Sequence, residues 1–484
     1  MASQAIKRDL TTGPIGPALF QFAIPTLISS IVQSLQGSVN SIWVGRFLGE
    51  NALAATSSAN LVLFLTMSFV FGFGMAATIL IGQASGRKDL DQVRRVFGTI
   101  VGSFFVIVAI VSALGWIFTP QLLGLLHMPP EAVAPALAYL RVIFLVLPPA
   151  LTLAIITMTL RGTGDAMTPL WFMLGVVVID CGLNPLLILG VGPFPRMGIA
   201  GSATATLVAN LLALVVMVVA IYWRDMPIRL RGAELGYLRP DPALLKRIVA
   251  MGFPMGLQMI VLSLAGIAMV RLVNREGVDT AAAYGVALQL WTYVQMPAVA
   301  VSAAVSAMAA QNIGAGKWDR IGAITRSGIL FNLAMTGGLV VLLAIADRPA
   351  LALFLGGDSP ALPIAQHIQL IVTWSFLLAG GTMVLFGTMR ANGVVWVPLC
   401  VFAFTMLPLR LGIATFGRGV LGHDALWISF PISSVTSLAL AIAFYRWGNW
   451  RKPRAPMMQR PSPEAAAEEA LAAAEPEGRM TPGG

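Results

Sequence analysis

Apolar stretches of about 20 residues recur along almost the whole chain, and each is long enough to cross a bilayer as a helix. Backbone polar groups in hydrocarbon must find partners within the structure, so such stretches fold as membrane-spanning helices. The runs are continuous rather than alternating every second residue, which excludes a β-barrel. Charged residues make up 11% of the 484 residues, against about 25% in an average soluble domain. We therefore expect an all-α integral membrane protein.

Twelve membrane helices can be placed by hydropathy. Several of them exceed the length needed to cross a bilayer, so tilting or protrusion is expected. Their predicted ranges are 16–44, 53–83, 95–119, 135–160, 167–191, 199–223, 246–273, 281–311, 323–346, 364–389, 396–417 and 425–446.

The net charge of +10 is distributed over alternate loops. Basic residues are dense after the second helix, at Arg87 and Lys88, and in the stretch 224–245, whereas the intervening loops carry few. This is the positive-inside pattern of a multi-pass protein of the cell (inner) membrane, with both termini in the cytoplasm. A nucleic-acid partner has no support. The tail 447–484 has no apolar face to bury, so we expect it to be disordered.

An internal repeat organises the chain. An offset of 229 positions aligns Pro25 with Pro254, Arg46 with Arg275, and the stretch RGTGDAMTPL from Arg161 with RANGVVWVPL from Arg390. Two copies of six helices must enter the membrane from the same side, so they are parallel repeats. The expected organisation is a cytoplasmic N-terminus (1–15), an N-lobe (16–223), a cytoplasmic linker (224–245), a C-lobe (246–446) and the tail.

Asp180 lies in the middle of the fifth apolar run. A carboxyl group at the centre of a bilayer costs roughly 2.5–3.5 kcal/mol even on a lenient scale, so such a residue is a candidate functional site. Asn184 lies on the same helical face, and Pro185 frees the backbone carbonyl of Cys181 as an extra acceptor. Polar side chains also line the first and sixth helices, at Gln33, Gln36, Asn40, Thr206 and Asn210.

These polar positions are not preserved in the second half. The same offset replaces Gln33, Gln36, Asn40 and Asp180 with Leu262, Ala265, Met269 and Leu409. Residues that merely joined helices would be expected in both halves. We therefore interpret Asp180 as a coupling residue that binds and releases a proton, and we assign Gln36, Asn40, Asn184 and Thr206 to the same coupling site. One alternative is a permanently protonated Asp180 bonded to Asn40 or Asn184. Another is a Na⁺ site formed by oxygen atoms of Asp180, Asn40, Asn184 and Thr206.

The segments NSIWVGRFLGENALAA, GQASGRKD, RGTGDAMTPL and LNPLLILG, in this order, resemble the multidrug and toxic compound extrusion (MATE) family over residues 15–446. The resemblance implies a V-shaped pair of six-helix lobes and export of lipophilic, often cationic compounds in exchange for H⁺ or Na⁺. One branch carries an Asp fifteen residues after the first-helix proline. Here that position is Asn40. The fifth helix of that branch typically carries Asn and, four residues later, Asp followed by Pro. In this chain the two residues are exchanged, as Asp180 and Asn184.

The expected function is a secondary active antiporter that exports amphipathic small molecules, cationic ones above all, in exchange for protons. A Na⁺-coupled antiporter and a flippase for lipid-linked saccharides are the alternatives, with a membrane scaffold or receptor as a rival of another class. We expect a monomer with no cofactor and no bound metal. No enzymatic activity is expected, since no phosphate-binding loop occurs and no histidine pairs with a nucleophile or acid at catalytic spacing, apart from His423 beside Asp424, which is interpreted as a helix cap.

Two further groups of residues are assigned from the sequence. Pro25 and Pro185 are expected to serve the conformational change. The substrate cavity is expected to involve Gln33, Asn210, Gln289, Trp291, Tyr293 and Met296. Arg410, the other charge deep in an apolar run, can extend to the outer membrane interface or line the cleft between the halves, and the first is favoured.

Overall fold

The computed structural model describes residues 9–125 and 130–451, which are almost entirely helical. Within these ranges no β-strand occurs. The first eight residues and the tail beyond residue 451 lie outside the described part. The prediction of a disordered tail therefore concerns residues that the structure does not describe. The α-helices are α1 (Ile15–Gly86), α2 (Leu90–Ile117), α3 (Thr119–Leu125), α4 (Pro130–Gly162), α5 (Met167–Leu189), α6 (Ile199–Trp223), α7 (Pro242–Val273), α8 (Val278–Gly314), α9 (Asp319–Ile345), α10 (Asp347–Leu355), α11 (Ala361–Val372), α12 (Ser375–Ala391), α13 (Trp396–Phe404), α14 (Arg410–Phe416), α15 (Arg418–Leu421) and α16 (Ala425–Trp447).

The first two predicted spans, 16–44 and 53–83, fall within the single helix α1. A straight helix of 72 residues would be about 108 Å long. The backbone nitrogen of Leu10, just before α1, donates a 3.2 Å hydrogen bond to Gln311, and Gly86, at its end, also touches Gln311. The chain must therefore reverse between the ends of α1, which agrees with two antiparallel passes.

The other predicted spans match the helices closely. In the described residues, ten helices are long and apolar enough to cross a membrane, and the pair α11–α12, bent by 44°, adds an eleventh. Val70–Gly86, the apolar end of α1, supplies the twelfth segment. The expected fold class, an all-α membrane protein of twelve spans, is confirmed. Helix α7 begins at Pro242, so the end of the predicted linker 224–245 is helical.

The linker packs against the start of α2. Residues Gly232–Leu238 form a short 3-10 helix, whose Glu234 pairs with Arg94 at 2.5 Å. Tyr237 donates a 2.6 Å hydrogen bond to Asp91. Burial raises the pKa of the Tyr237 phenol, and its hydrogen bond to Asp91 raises it further. We call this end of the molecule, which also carries the loop 87–89 after α1, the linker end.

The two halves of the chain meet toward the linker end through a reciprocal pair of hydrogen bonds. Gln83 of the first half donates a 2.7 Å hydrogen bond to the carbonyl of Ala391. Gln311 of the second half donates a 3.0 Å hydrogen bond to the carbonyl of Gly162. Gln83, on the second span, bonds the end of the tenth span. Gln311, on the eighth span, bonds the end of the fourth. The contact therefore has the approximate two-fold symmetry that parallel repeats impose.

Glycines permit the close approach of α1 and α8 at this contact. A Cβ atom added to Gly86 would lie 1.9 Å from the carbonyl oxygen of Gln311, and one added to Gly314 would lie 2.0 Å from the carbonyl oxygen of Gln83. Both neighbours are backbone atoms and cannot move aside independently. The halves can touch here only because both positions lack a side chain.

Replacement of Gly86 by alanine should hold the halves apart at the linker end. Gly86→Ala is expected to lengthen the distance between spin labels at positions 87 and 319, one in each half, in double electron–electron resonance. Gly322→Ala is the control, because a Cβ atom at this helical glycine meets nothing within 4 Å. An unchanged distance distribution in Gly86→Ala would contradict this account.

Candidate functional site

Asp180 lies on α5 with none of its surface exposed, and three side chains from two neighbouring helices bind its carboxyl group. The amides of Gln36 and Asn40, on α1, donate hydrogen bonds of 2.8 Å and 3.1 Å to Oδ2. The hydroxyl of Thr206, on α6, donates a 3.0 Å hydrogen bond to Oδ1. The structure thus gathers four residues that the sequence assigned to the coupling site.

Asn184 joins the group through α1. Its amide donates a 2.7 Å hydrogen bond to Oδ1 of Asn40, so Asn40 bridges the two polar residues of α5. Asn184 is fully buried, yet its own carbonyl oxygen has no hydrogen-bond partner among the described residues. A buried acceptor without a partner is uncommon in folded proteins and calls for an explanation, such as an ion or water.

The hydroxyl of Thr206 has two acceptors within reach. Besides Oδ1 of Asp180, the backbone carbonyl of Ser202 lies 3.3 Å away, one turn earlier on α6. A hydroxyl can donate one hydrogen and accept another. Thr206 can therefore donate to an ionised Asp180, or turn its hydrogen to Ser202 and accept the proton of a neutral Asp180.

Tyr139 is a neighbour of this site that the sequence analysis missed. Its side chain, on α4, is buried, and its phenol lies close enough to Asp180 for their charges to interact. A tyrosine near the start of an apolar run is typical of the membrane interface, so its position in the sequence does not indicate a functional site. Tyr139 comes near Asp180 because α4 packs against α5 and α6, and this packing cannot be derived from the spacing of residues in the sequence.

The residues expected to line a substrate cavity are dispersed. Gln33 is exposed on α1, and Asn210 is buried with its amide donating a 2.8 Å hydrogen bond to the carbonyl of Thr206. Trp291 lines a cavity within the second half, whereas Gln289, Tyr293 and Met296 are absent from its described lining. Gln289 instead donates a 3.2 Å hydrogen bond to the Tyr293 hydroxyl on an exposed face of α8.

The two prolines assigned to conformational change lie inside helices, Pro25 in α1 and Pro185 in α5. The hydroxyl of Ser29 donates a 2.7 Å hydrogen bond to the Pro25 carbonyl. Such a bond from serine to the preceding turn often bends a helix. The first turns of α1 therefore combine two features that favour bending.

Arg410 does not extend to the membrane interface as expected. Its guanidinium donates two hydrogen bonds, of 2.9 Å and 2.7 Å, to the hydroxyl of Ser433 on α16. Its Cζ atom lies 4.3 Å from the centre of the Phe430 ring. These contacts hold the charge inside the second half, where an aromatic face and a hydroxyl replace part of its hydration.

Known proteins are similar to this chain over most of its length. The model of the MatE family matches the chain twice, over residues 25–186 and 254–416. The probable multidrug resistance protein YoeA of Bacillus subtilis is 36% identical over 437 residues, covering 89% of this chain and 93% of that protein. The probable multidrug resistance protein YpnP of the same organism is 26% identical, covering 92% and 97%. The Vibrio cholerae MATE transporter VcmN superposes with a TM-score of 0.82 at 20% identity, covering 89% of this chain and 96% of that structure.

A multi-pass membrane transporter with two homologous halves is the class that the fold and these matches define. The chain belongs to the MatE family. The two family matches begin 229 positions apart, at residues 25 and 254, which is the offset found in the sequence. The resemblance stated from the sequence is thereby confirmed, and so is the internal repeat.

The hydroxyl of Thr206 should contribute to the stability of the site. Thr206→Val keeps the shape of the side chain but leaves Oδ1 of Asp180 buried without its donor, which should cost about 1–3 kcal/mol of unfolding free energy. Thr204→Val is the matched control on the same helix, because that hydroxyl bonds only the backbone carbonyl of Ala200, at 2.7 Å. Thermal unfolding in detergent should separate the two variants. Equal losses would contradict a special role for Thr206.

Proposed function

We propose that this protein is an antiporter of the cell membrane that exports amphipathic small molecules, cations above all, in exchange for protons bound by Asp180. The observation that carries the proposal is a fully buried carboxyl group whose partners are all neutral side chains. No described cation pairs with it to fix its charge. Neutral partners can bond the carboxyl group in either protonation state, so it can bind and release a proton without breaking an ion pair.

The charge of Asp180 would control the contact between α5 and α1. Hydrogen bonds to an ionised acceptor are roughly twice as strong as those to a neutral one. The amides of Gln36 and Asn40 therefore hold α1 firmly against α5 when Asp180 is ionised. Protonation weakens both bonds and turns the Thr206 hydroxyl toward Ser202. When these bonds weaken, α1 would change its bend near Pro25, eleven residues before Gln36.

This coupling fits alternating access between two states. In the structure the halves are joined at the linker end by the Gln83 and Gln311 hydrogen bonds. The basic residues of that end favour a cytoplasmic location under the positive-inside rule. A proton taken up from outside would release α1, allow the halves to separate at the cytoplasmic end, and leave to the inside as the next substrate binds. The names of the YoeA and YpnP relatives support drugs as cargo, and we expect the monomer to complete the cycle.

Sodium is the second candidate for the coupling ion. The observation in its favour is the unpartnered carbonyl oxygen of Asn184, which lies in the same cluster as Oδ1 of Asn40 and the Asp180 carboxylate. Hard cations bind such oxygen atoms. Under this alternative the Asn184 oxygen gains its partner when Na⁺ binds.

Asp180→Asn should abolish proton-driven export while leaving the fold intact, because an amide of the same shape cannot carry the proton. The measurement is ethidium efflux from proteoliposomes under a pH gradient, with a Na⁺ gradient in a parallel series. Asp358→Asn is the control, since it makes the same change at an exposed loop position. Efflux that persists under the pH gradient in Asp180→Asn would place the coupling site elsewhere. Efflux driven only by Na⁺ would favour the second candidate.

A carboxyl group introduced on α1 should partly replace Asp180. The Asn40 amide nitrogen lies 3.1 Å from Oδ2 of Asp180, so Asn40→Asp combined with Asp180→Asn exchanges acid and amide within one site. The double variant should recover pH-driven ethidium efflux relative to Asp180→Asn alone. Asn210→Asp in the same background is the control, because Asn210 contacts the backbone of Thr206 rather than Asp180. Equal recovery by both double variants would show that position is unimportant.

A further inference from the structure

Arg410 occupies the position in the second half that Asp180 occupies in the first. A gapless offset of 229 pairs Asp180 with Leu409, but a π-helix at Thr405–Leu409 precedes Arg410. A π-turn accommodates one extra residue in a helix, and such turns are frequent at functional sites. The second family match, 254–416, is one residue longer than the first, 25–186. After the insertion, Asp180 corresponds to Arg410.

Contacts with the last helix of each half support this correspondence. Asp180 on α5 bonds the hydroxyl of Thr206 on α6. Arg410, on α14, bonds the hydroxyl of Ser433 on α16, the last helix of the second half. Each half therefore holds its charge against a hydroxyl of its own last helix, and the two charges are opposite in sign.

The two charges differ in how the first helix of each half covers them. In the first half Gln36 and Asn40 cap the carboxylate. Their counterparts at the offset of 229 are Ala265 and Met269, which cannot bond a guanidinium through their side chains and instead line a cavity of about 250 Å³ beside Arg410. The carboxylate is enclosed by protein, whereas the guanidinium lines this cavity.

This cavity has one charge and aromatic walls. Arg410 is the only charged residue among the described residues that line it, and Trp291, Phe376 and Phe430 form part of its walls. Trp291 is fixed by its indole N–H, which donates to Gln369 at 2.9 Å and Thr373 at 3.1 Å. In the described part of the chain no salt bridge involves Arg410. A guanidinium has five N–H donors, and the two hydrogen bonds that Arg410 donates to Ser433 reach a single oxygen.

We propose that the Arg410 cavity binds a small organic anion, an aromatic carboxylate or sulfonate, with the acidic group on the guanidinium and the ring between the aromatic walls. Planar guanidinium groups suit such acids because they can donate two parallel hydrogen bonds. Ligand pockets for drug-sized molecules usually span about 300–1,000 Å³, so a cavity of about 250 Å³ suits a single ring. This site goes beyond the export of cations proposed above, because its polarity is opposite to that of the Asp180 site.

Equilibrium binding to the purified full-length protein in nonionic detergent tests the proposal, with benzenesulfonate as the probe and isothermal titration calorimetry as the measurement. Benzenesulfonamide has nearly the same shape and is neutral, so the wild-type protein should bind it about tenfold more weakly or worse, since charge-assisted hydrogen bonds are roughly twice as strong as neutral ones. Arg410→Gln should abolish this preference. Arg348→Gln, the same change at an exposed arginine of α10, should retain it.

Equal binding of the sulfonate and the sulfonamide by the wild type would overturn the proposal, and so would an undiminished preference in Arg410→Gln. If Arg410→Gln fails to fold, Arg410→Lys keeps the charge and should keep a weakened preference, and the wild-type comparison needs no variant. No gradient is present in this measurement. Its failure therefore leaves proton coupling at Asp180 untouched, and loss of pH-driven efflux in Asp180→Asn leaves the anion site untouched.

Discussion

Burying a carboxyl group inside a membrane protein is expensive, and three helices of the first half are arranged around Asp180 to offset that cost. Helix α1 supplies two amides, α6 supplies a hydroxyl, and α5 carries the acid itself. None of these partners has a charge that would fix the protonation state. Neutral partners of this kind can bond the carboxyl group in either protonation state, which is what the proposed proton coupling requires.

The repeat explains both the symmetry and the division of labour in the molecule. At the linker end the halves use matching groups, Gln83 and Gln311, to bond each other's backbone. Within the membrane body they diverge: the first half buries an acid under amides, and the second presents Arg410 to a cavity. Parallel repeats can move as equivalent bodies, and the different interiors of the two halves are the basis of the two sites that we propose.

Hydropathy and resemblance predicted most of the fold, because continuous apolar runs leave few alternatives in a bilayer. The sixth span, predicted at 199–223, is α6 at Ile199–Trp223. The polar stripes also predicted which side chains meet Asp180, since helical spacing fixes which residues share a face. Tertiary features were harder. The 44° bend between α11 and α12 has no proline at the break, and Tyr139 approaches Asp180 only through packing of α4.

The error over Arg410 has a simple physical origin. A constant offset assumes that every helix has the same number of residues per turn, and the π-helix at Thr405–Leu409 breaks that assumption. The offset of 229 therefore paired Asp180 with Leu409. The adjacent Arg410 was expected to extend to the membrane interface. Backbone geometry was needed to recognise the two charges as counterparts.

The central claim is that Asp180 changes its protonation state as the halves open and close. Infrared difference spectroscopy can follow it through the carbonyl stretch of the protonated carboxyl group, assigned by its disappearance in Asp180→Asn. The spectra should be recorded across pH on the wild type and on Gly86→Ala, which the contact at Gln311 should hold open at the linker end. The account predicts that this band titrates at different pH values in the two proteins. The same band at every pH in both, once their different conformations have been verified, would contradict it.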